Sequence, residues 1–520
     1  MSEQTYLLES AKPFGESMIW QLNREYYLEK GPEAWRTQKV PHQLTSNSMV
    51  GMTYAELIFA VMKDLAHEGK TDERLYILEL GAGHGRLAYH IIIHLQRLLK
   101  GYGSPLPSFC YVVSDFVEEN LSFFSNHPQF QDFINQGLLD VAYFDAINGK
   151  EIHLRHSDLN IKKADLSIPL IAIANYFFDS IPADLFHIQN GKINNCNIAL
   201  HTDEESGSMN SSEKLDHIQI DFINNPVDSN YYNDPNENEV LNAYRGQLFD
   251  TYLLFPHAGL QCIQNLYELS ESGVIVLTMD KGFHKLTGLE NAAVPEMITH
   301  GSMSMAVNFH ALGAYCDKLG GISKFSEYSN FDLELGCLLI TKDAKGFTET
   351  LSSYDRFVNN YGPDDFNGMK LFSYKHIATM TMRELIGAIR MSHYDSTVFI
   401  KLLPRIKQVM QHISRDDRDR LNQTLHRAWS MYFTLNEPND LAFEIGGVLY
   451  ALGYYQEALS YFDHSEKLYG HTTDEYYNRI LCHYQLRQDV LFSNELKEGK
   501  VAFPDFKGWA YLDGLDLGAE

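Results

Sequence analysis

The chain has 520 residues and a net charge of −26, from 68 acidic against 42 basic side chains. Phosphate backbones call for a basic face, so this balance argues against nucleic acid as a partner. A hydrophobic content of 44% is enough for real cores, and the length suggests about three domains. No apolar run approaches the ~20 residues that span a bilayer; the longest begins at Ile168 and is broken by Asn175. The N-terminus carries Glu3, Glu9 and Glu16 and has the pattern of neither a secretory signal nor an Arg-rich transit peptide. Cysteines 110, 196, 262, 316, 337 and 482 are scattered with no C-x-x-C. That disfavours disulfide frameworks and zinc sites and fits a cytoplasmic, reducing location.

Taken in chain order, the first informative element is Leu75-Tyr-Ile-Leu-Glu-Leu80, an aliphatic run bounded by charge that predicts a buried parallel strand. It ends in Gly81-Ala82-Gly83-His84-Gly85, and Leu87, Ile91, Leu95 and Leu98 follow at helical spacing. Strand, glycine turn and helix bring backbone close to a ligand, because a Cβ there would block the approach. A dinucleotide site wants G-x-G-x-x-G. Here the spacing is G-x-G-x-G with Glu79 before it, which resembles the first motif of class I S-adenosylmethionine (SAM) methyltransferases. The competing reading is a tight turn in any α/β protein.

After a proline-containing loop, Phe109-Cys-Tyr-Val-Val-Ser114 predicts a second strand ending in Asp115. A carboxylate at that tip can accept from both ribose hydroxyls. A third strand, Asp140 to Phe144, ends in Asp145-Ala146, where an acid could accept from an adenine amino group. Each Asp taken alone is also a common solvated strand-end residue. Pro169 to Ala174 predicts a fourth buried strand. The turn after it carries Asn175 and Asp179 at the carboxyl edge of the sheet, where an acceptor would meet a methyl group. Asp179 reads equally as a helix cap. Residues 201–240 hold ten Asp/Glu against one Lys and predict a solvated acidic insertion, or an acidic lip for a basic peptide. Ser272 to Gly282 predicts a further strand ending in Asp280.

These motifs, in this order, resemble the MidA-like methyltransferases, a family that includes a protein-arginine methyltransferase of mitochondrial complex I assembly. Thr45-Ser46 with Tyr54-Ala-Glu56 resembles its T-S…F-G-E element, and Glu79 to Leu87 its E-L-G-P-G-x-G-x-L. Asn175-Tyr-Phe-Phe-Asp-Ser-Ile-Pro182 is similar to N-E-F-F-D-A-L-P, and Asp280-Lys-Gly282 to D-Y-G. Gly301 to Leu312 is similar to a D-x-T-x-H-V-D-F segment. The chain departs from the family at Tyr176 (Glu there), Ser302 (Asp), Ala306 (His) and Asn308 (Asp). The match spans roughly residues 40–345. It implies SAM as cofactor at Glu79, Gly81, Ala82, Gly83, Gly85, Asp115, Asp145 and Ala146. It also implies Asp179, Asn175 and Glu56 on the acceptor side, with Glu56 resting on the resemblance alone and reading otherwise as a solvated helix residue.

From about residue 375 the pattern is helical, with segments near 376–392, 402–413 and 417–435. Leu441 to Phe462 places Gly453, Ala458 and Phe462 as in a tetratricopeptide repeat, and a degenerate copy follows 34 residues later, with Arg487 and Phe492 at its small-residue positions. The expected organisation is an N-terminal extension (1–40), a Rossmann-like α/β methyltransferase domain (41–350) with the acidic insertion, and an all-α repeat-like domain (370–520).

A sulfonium methyl is already activated, so alignment of the acceptor is the main task, worth ~7–11 kcal/mol of barrier. Three functions remain open: a protein methyltransferase whose helical region selects its partner, a diverged SAM-binding assembly protein, and a small-molecule methyltransferase.

Overall fold

The computed structural model describes residues 6–36, 44–202, 215–295, 298–299, 302–328, 333–435, 437 and 439–515. The chain divides into two compact units, Met1–Gly368 and Met369–Glu520.

The first unit is built on a mixed sheet with a parallel centre. Strands β1 (Arg74–Glu79), β2 (Ser108–Asp115), β3 (Leu139–Tyr143), β4 (Leu170–Asn175) and β5 (Gly273–Phe283) lie in the order β5-β4-β1-β2-β3, all parallel. Leu333–Thr341 adds antiparallel to β5, and Ile322–Phe325 adds beyond it. The short strands Ile152–Leu154 and Leu159–Ile161 close the other edge. Successive residues of a strand point to opposite faces, so a strand covered on both sides is a continuous apolar run. Leu170 to Ala174 of β4 are all buried, as that rule requires. The chain reverses direction across the sheet between β1 and β4, which makes their carboxyl ends the topological switch point where open α/β sheets bind ligands.

Four helices frame that edge: α1 (Met18–Lys30), α2 (Glu33–Arg36), α3 (Ser48–His67) and α4 (Arg86–Gly101). The Ser17 side chain caps α1 by accepting from Ile19 N, and Asn47 caps α3 by accepting from Val50 N. Gly85, at φ +75°, caps α4. A Cβ there would come within 3.0 Å of Phe130 and 3.3 Å of Phe124, so packing as well as φ calls for glycine.

A second, antiparallel sheet comprises Tyr6–Pro13, Asp184–Gln189, Lys192–Thr202, Ile218–Pro226 and Asp250–Phe255. Its core joins Leu185, Ile198 and Leu200 to Ile19, Trp20 and Leu22 of α1. Part of the acidic segment is thereby corrected. Residues 203–214 lie outside the described residues, but Ile218–Pro226 pairs along its whole length with Lys192–Thr202. The reason is period-2 alternation: Ile218, Ile220 and Phe222 are half-buried on one face while Gln219 and Asp221 face solvent. The helix Pro235–Gln247 follows, with Asp234 as its cap.

The second unit is all helical. Met382–Met391, Ser396–Val409 and Arg415–Ser430 lead into the hairpins Leu441–Leu452 with Tyr455–Tyr469 and Thr473–Gln485 with Asp489–Ala502. Gly453 ends the first helix of its hairpin at φ +85°. The Phe462 ring lies over Gly446, where a Cβ would stand 2.7 Å from it, so close approach rests on Gly446 as well as on buried Ala458. In the degenerate copy, Phe492 fills a separate small core with Ile480, Leu496 and Trp509. Among the described residues no helix is long and apolar enough to cross a membrane. All six cysteines are free and buried.

Candidate functional site

A cavity of about 330 Å³ opens at the carboxyl ends of the five parallel strands. The β1–α4 turn forms its floor. Gly81, Gly83 and Gly85 have φ of +59°, +60° and +75°, a conformation that side-chain-bearing residues enter only with strain. The turn is tied to its neighbours: Ala82 N donates to Ser114 O (2.8 Å), Ser114 Oγ to Glu79 O (2.7 Å), and Gly83 N to Asp115 Oδ2 (3.2 Å). Asp115 also accepts from Asn120 Nδ2 (3.0 Å) and Val117 N (3.0 Å). Burial raises its carboxyl to about 6, and these donors hold it from rising further. Glu79 is pushed up to about 8 by burial; Tyr111 Oη donates to its Oε2 (2.9 Å) and Asp115 adds like charge.

At the far end stands the turn after β4. Asp280, fully buried on β5, accepts from Phe177 N (3.1 Å), Asp179 N (3.2 Å) and Lys281 N (2.9 Å). It therefore fixes the loop that carries Asp179. Burial raises Asp179 to about 6; Ser180 Oγ donates to its Oδ1 (2.6 Å), and the Lys281 ammonium and the Asp280 carboxyl also hold it down. Asp280 itself is pushed up, by burial first and by Asp179 next. Asn175 is committed on both sides, accepting from Tyr54 Oη (3.2 Å) and donating to Thr45 O (2.9 Å). Tyr176 adopts φ +47°, and its buried hydroxyl has no hydrogen-bond partner among the described residues. A non-glycine residue held there is the kind of strain that collects at functional loops.

The outer wall comes from the N-terminal helices. Arg24 pairs with both oxygens of Asp145 (3.2 and 3.0 Å) and lies 4.1 Å above the Phe116 ring. Tyr27 stacks on Trp35 at 5.9 Å, and Trp35 stands against Gly83.

Of the residues picked out in the sequence, Glu79, Gly81, Ala82, Gly83, Asp115, Asp145, Ala146, Asn175 and Asp179 line this one cavity. Gly85 and Glu56 do not. Gly85 is taken up by the helix start and the two Phe rings. Glu56 follows Tyr54 by two residues on α3, and i, i+2 positions point to different faces. With Tyr54 turned to Asn175, Glu56 is carried away from the cavity, toward the segment in which Ser353 Oγ donates to Glu56 O (3.2 Å). Asp145, expected to be open to a base, is engaged by Arg24. Sequence reasoning missed Arg24, Asn23, Tyr27, Trp35 and Phe116, and gave Asp280 no role. One available signal was the i, i+3, i+4, i+7 spacing of Trp20, Asn23, Arg24 and Tyr27. Gly301, in the last resemblance segment, lies outside the described residues.

Residues 55–285 match the model of the family described as "Putative S-adenosyl-L-methionine-dependent methyltransferase". This region is similar to SAM-dependent methyltransferases. The matched span begins within α3 and ends just after β5, so it holds the glycine turn, Asp115, Asp145, Asp179 and Asp280, while α1 and α2 of the methyltransferase unit precede it. Among solved structures, the chain is similar to an uncharacterized ACR protein from Burkholderia thailandensis, with 14% identity and a TM-score of 0.38 over 66% of this chain and 82% of that one. A superfamily member from the same organism, bound to S-adenosyl-homocysteine, has the same identity and score over 66% of this chain and 83% of its own. No curated protein matches the chain.

Proposed function

We propose that this chain transfers the methyl group of SAM to a side chain of another protein, with arginine the acceptor that the family resemblance implies. The supporting observation is that one continuous cavity joins the Gly81–Gly83 turn, Asp115 and Asp145 to Asn175 and Asp179. Its volume falls in the range of roughly 300–1,000 Å³ usual for ligand pockets. Gly81 leaves open backbone where an amino-acid moiety would lie, and the strand-end acids stand where ribose and base would be held, so the residues fit the cofactor. The bound cofactor would supply a methyl group already activated as a sulfonium.

The protein's task is then to hold the acceptor in line and to accommodate its lost proton. A guanidinium keeps its charge at all ordinary pH values, so it needs a carboxylate to localise that charge and turn a nitrogen lone pair toward the methyl. Asp179 takes this role, on a loop fixed by the two backbone bonds from Phe177 N and Asp179 N to Asp280. With its carboxyl raised to about 6, Asp179 is protonated below that pH and, ionised above it, is able to receive a proton. Asn175 positions the loop at Thr45 rather than touching the acceptor. Tyr176, with its unpaired hydroxyl, stands where the family has a Glu and offers a neutral hydrogen bond in place of a second charge. That substitution also favours a second reading, a SAM-binding assembly protein without turnover.

The helical domain, from about residue 370, serves in this proposal as the repeat-like surface that docks the protein partner, and residues of about 41–350 serve as the methyltransferase domain. Free, buried cysteines suit a reducing cytoplasm. The test is S-adenosyl-homocysteine titration of the full chain, then transfer of radiolabelled methyl into a protein lysate. Binding with labelled protein is the expected result. Binding without label in protein or small molecules would move the weight to the assembly reading.

A further inference from the structure

Helix α1 precedes the matched methyltransferase region, yet it presents a chemical face to the cavity. Trp20, Asn23, Arg24 and Tyr27 stand at i, i+3, i+4 and i+7, which is one side of a helix, and all four line the cavity. A helix that serves only to cover a core turns an apolar stripe inward. This one turns an amide, a guanidinium and a phenol.

Each polar group has a distinct target. Asn23 bridges two loops, its Nδ2 donating to Ser180 O (3.1 Å) and its Oδ1 accepting from Met303 N (2.8 Å). The Tyr27 hydroxyl reaches Ser302 and Ser180 and faces Asp179. Arg24 is directed to the opposite end of the cavity, away from those loops. Its fork holds both oxygens of Asp145, and its plane covers Phe116, the residue that follows Asp115. Asp145 accepts further from Ile147 N (3.2 Å) and Asn148 Nδ2 (3.3 Å). A planar fork fixes the direction of a carboxylate through two parallel bonds, and a single ammonium would not.

We propose that Arg24 is a cofactor-positioning residue: by clamping Asp145 and roofing Phe116 it builds the slot for the purine base, which makes α1 the outer jaw of the site. The inference rests on the cofactor reading above and adds to it an element from outside the matched region. Phe116 supplies the flat apolar wall, Asp145 the polar edge of the slot, and Arg24 the constraint that keeps the two in register. Asn23 and Tyr27 anchor the same helix to the acceptor loops, so closing the base end and ordering the acceptor end become one event.

Calorimetric titration of the full chain with S-adenosyl-homocysteine tests this through a double-mutant cycle. Arg24→Met and Asp145→Asn should each weaken binding by roughly 10- to 100-fold, the range of a charge-assisted pair. If Arg24 acts through Asp145, the double variant should be no more than about 3-fold weaker than either single one. Arg24→Lys, which keeps the charge but not the fork, should fall between wild type and Arg24→Met, and it serves if the methionine variant does not fold. Glu25→Ala, on another side of α1, should bind as wild type. Unchanged or tighter binding by Arg24→Met would overturn the proposal, the tighter case meaning that Arg24 occludes the slot. Fully additive losses would overturn it too. A wild-type chain that binds no S-adenosyl-homocysteine would overturn the cofactor reading itself, and the assignment of Arg24 with it.

Discussion

Glu495 of the helical unit and the acids of the cavity bury charge in opposite ways. In the helical unit, Arg479 gathers its acids: its guanidinium donates to Glu466 (2.6 Å), Glu475 (3.1 Å) and Glu495 (2.8 Å). Burial works to raise Glu495, but His483 and Arg479 outweigh it and hold the carboxyl below its ordinary value. In the methyltransferase unit, Glu79, Asp115 and Asp179 are buried with no such clamp. Burial carries them to about 8, 6 and 6. A charge satisfied by its neighbours serves structure. One left in an open cavity without full compensation is available to a ligand, and that is where perturbed acids gather in functional sites. The exception inside the cavity is Asp145, clamped by Arg24 in the manner of the helical unit.

Four changes would break or sharpen this contrast. The largest effect is expected from Asp179→Asn, which should lower methyl transfer by at least about 100-fold while leaving SAM affinity near wild type, because a charge used only to orient the acceptor acts on turnover. Single-turnover rates beside a binding titration would show the split, and unchanged turnover would reduce Asp179 to a loop cap. Gly83→Val comes next. At φ +60° any side chain is strained, and its Cβ would stand 2.8 Å from the Trp35 ring, so the turn and α2 must both move. Binding of S-adenosyl-homocysteine should fall by more than about 10-fold in a folded variant. Wild-type affinity there would displace the cofactor from the turn.

Arg479→Met probes the other unit. Stripping one partner from a buried ion cluster costs about 3–5 kcal/mol, so the melting temperature of the helical unit should drop clearly while S-adenosyl-homocysteine affinity stays put. Loss of cofactor binding would show that the units do not separate in this way. The smallest effect concerns pH. Glu79 titrates near 8 when folded and near 4.3 when unfolded, so its contribution to stability is complete below about pH 4 and is lost as pH rises through 8. Glu79→Gln keeps an acceptor for Tyr111 and removes the titration. Between pH 6 and 9 the variant should lose less melting temperature than the wild type, and parallel curves would assign the pH dependence elsewhere.

The parallel strands and the glycine turn were legible because their signals are local. A buried run such as Leu170 to Ala174 has no other stable reading, and Gly81 and Gly83 announce a backbone that needs left-handed φ. Asp115, Asp145 and Asp179 were legible as strand-end acids in their turns. The α1 wall was not, since its meaning lies in partners far along the chain: Arg24 meets Asp145 121 residues on, and Asn23 meets Met303 280 residues on. The helical spacing of Trp20, Asn23, Arg24 and Tyr27 marks a shared face but not the partners that face meets. Glu56 failed for the reverse reason, because a motif match carries no information about which face of a helix a residue occupies. The strand Ile218–Pro226 was hidden by the acidic composition around it, although its alternation was present in the sequence.

The most direct measurement of the central claim is a paired one on the full chain: binding of S-adenosyl-homocysteine by calorimetry, and transfer of radiolabelled methyl into a protein acceptor, each compared with the same chain carrying Asp179→Asn. Saturable binding in both proteins, with labelled protein from the wild type alone, is the result expected of a site that divides cofactor holding from acceptor alignment. Equal labelling by the two proteins, or no binding by either, would contradict it.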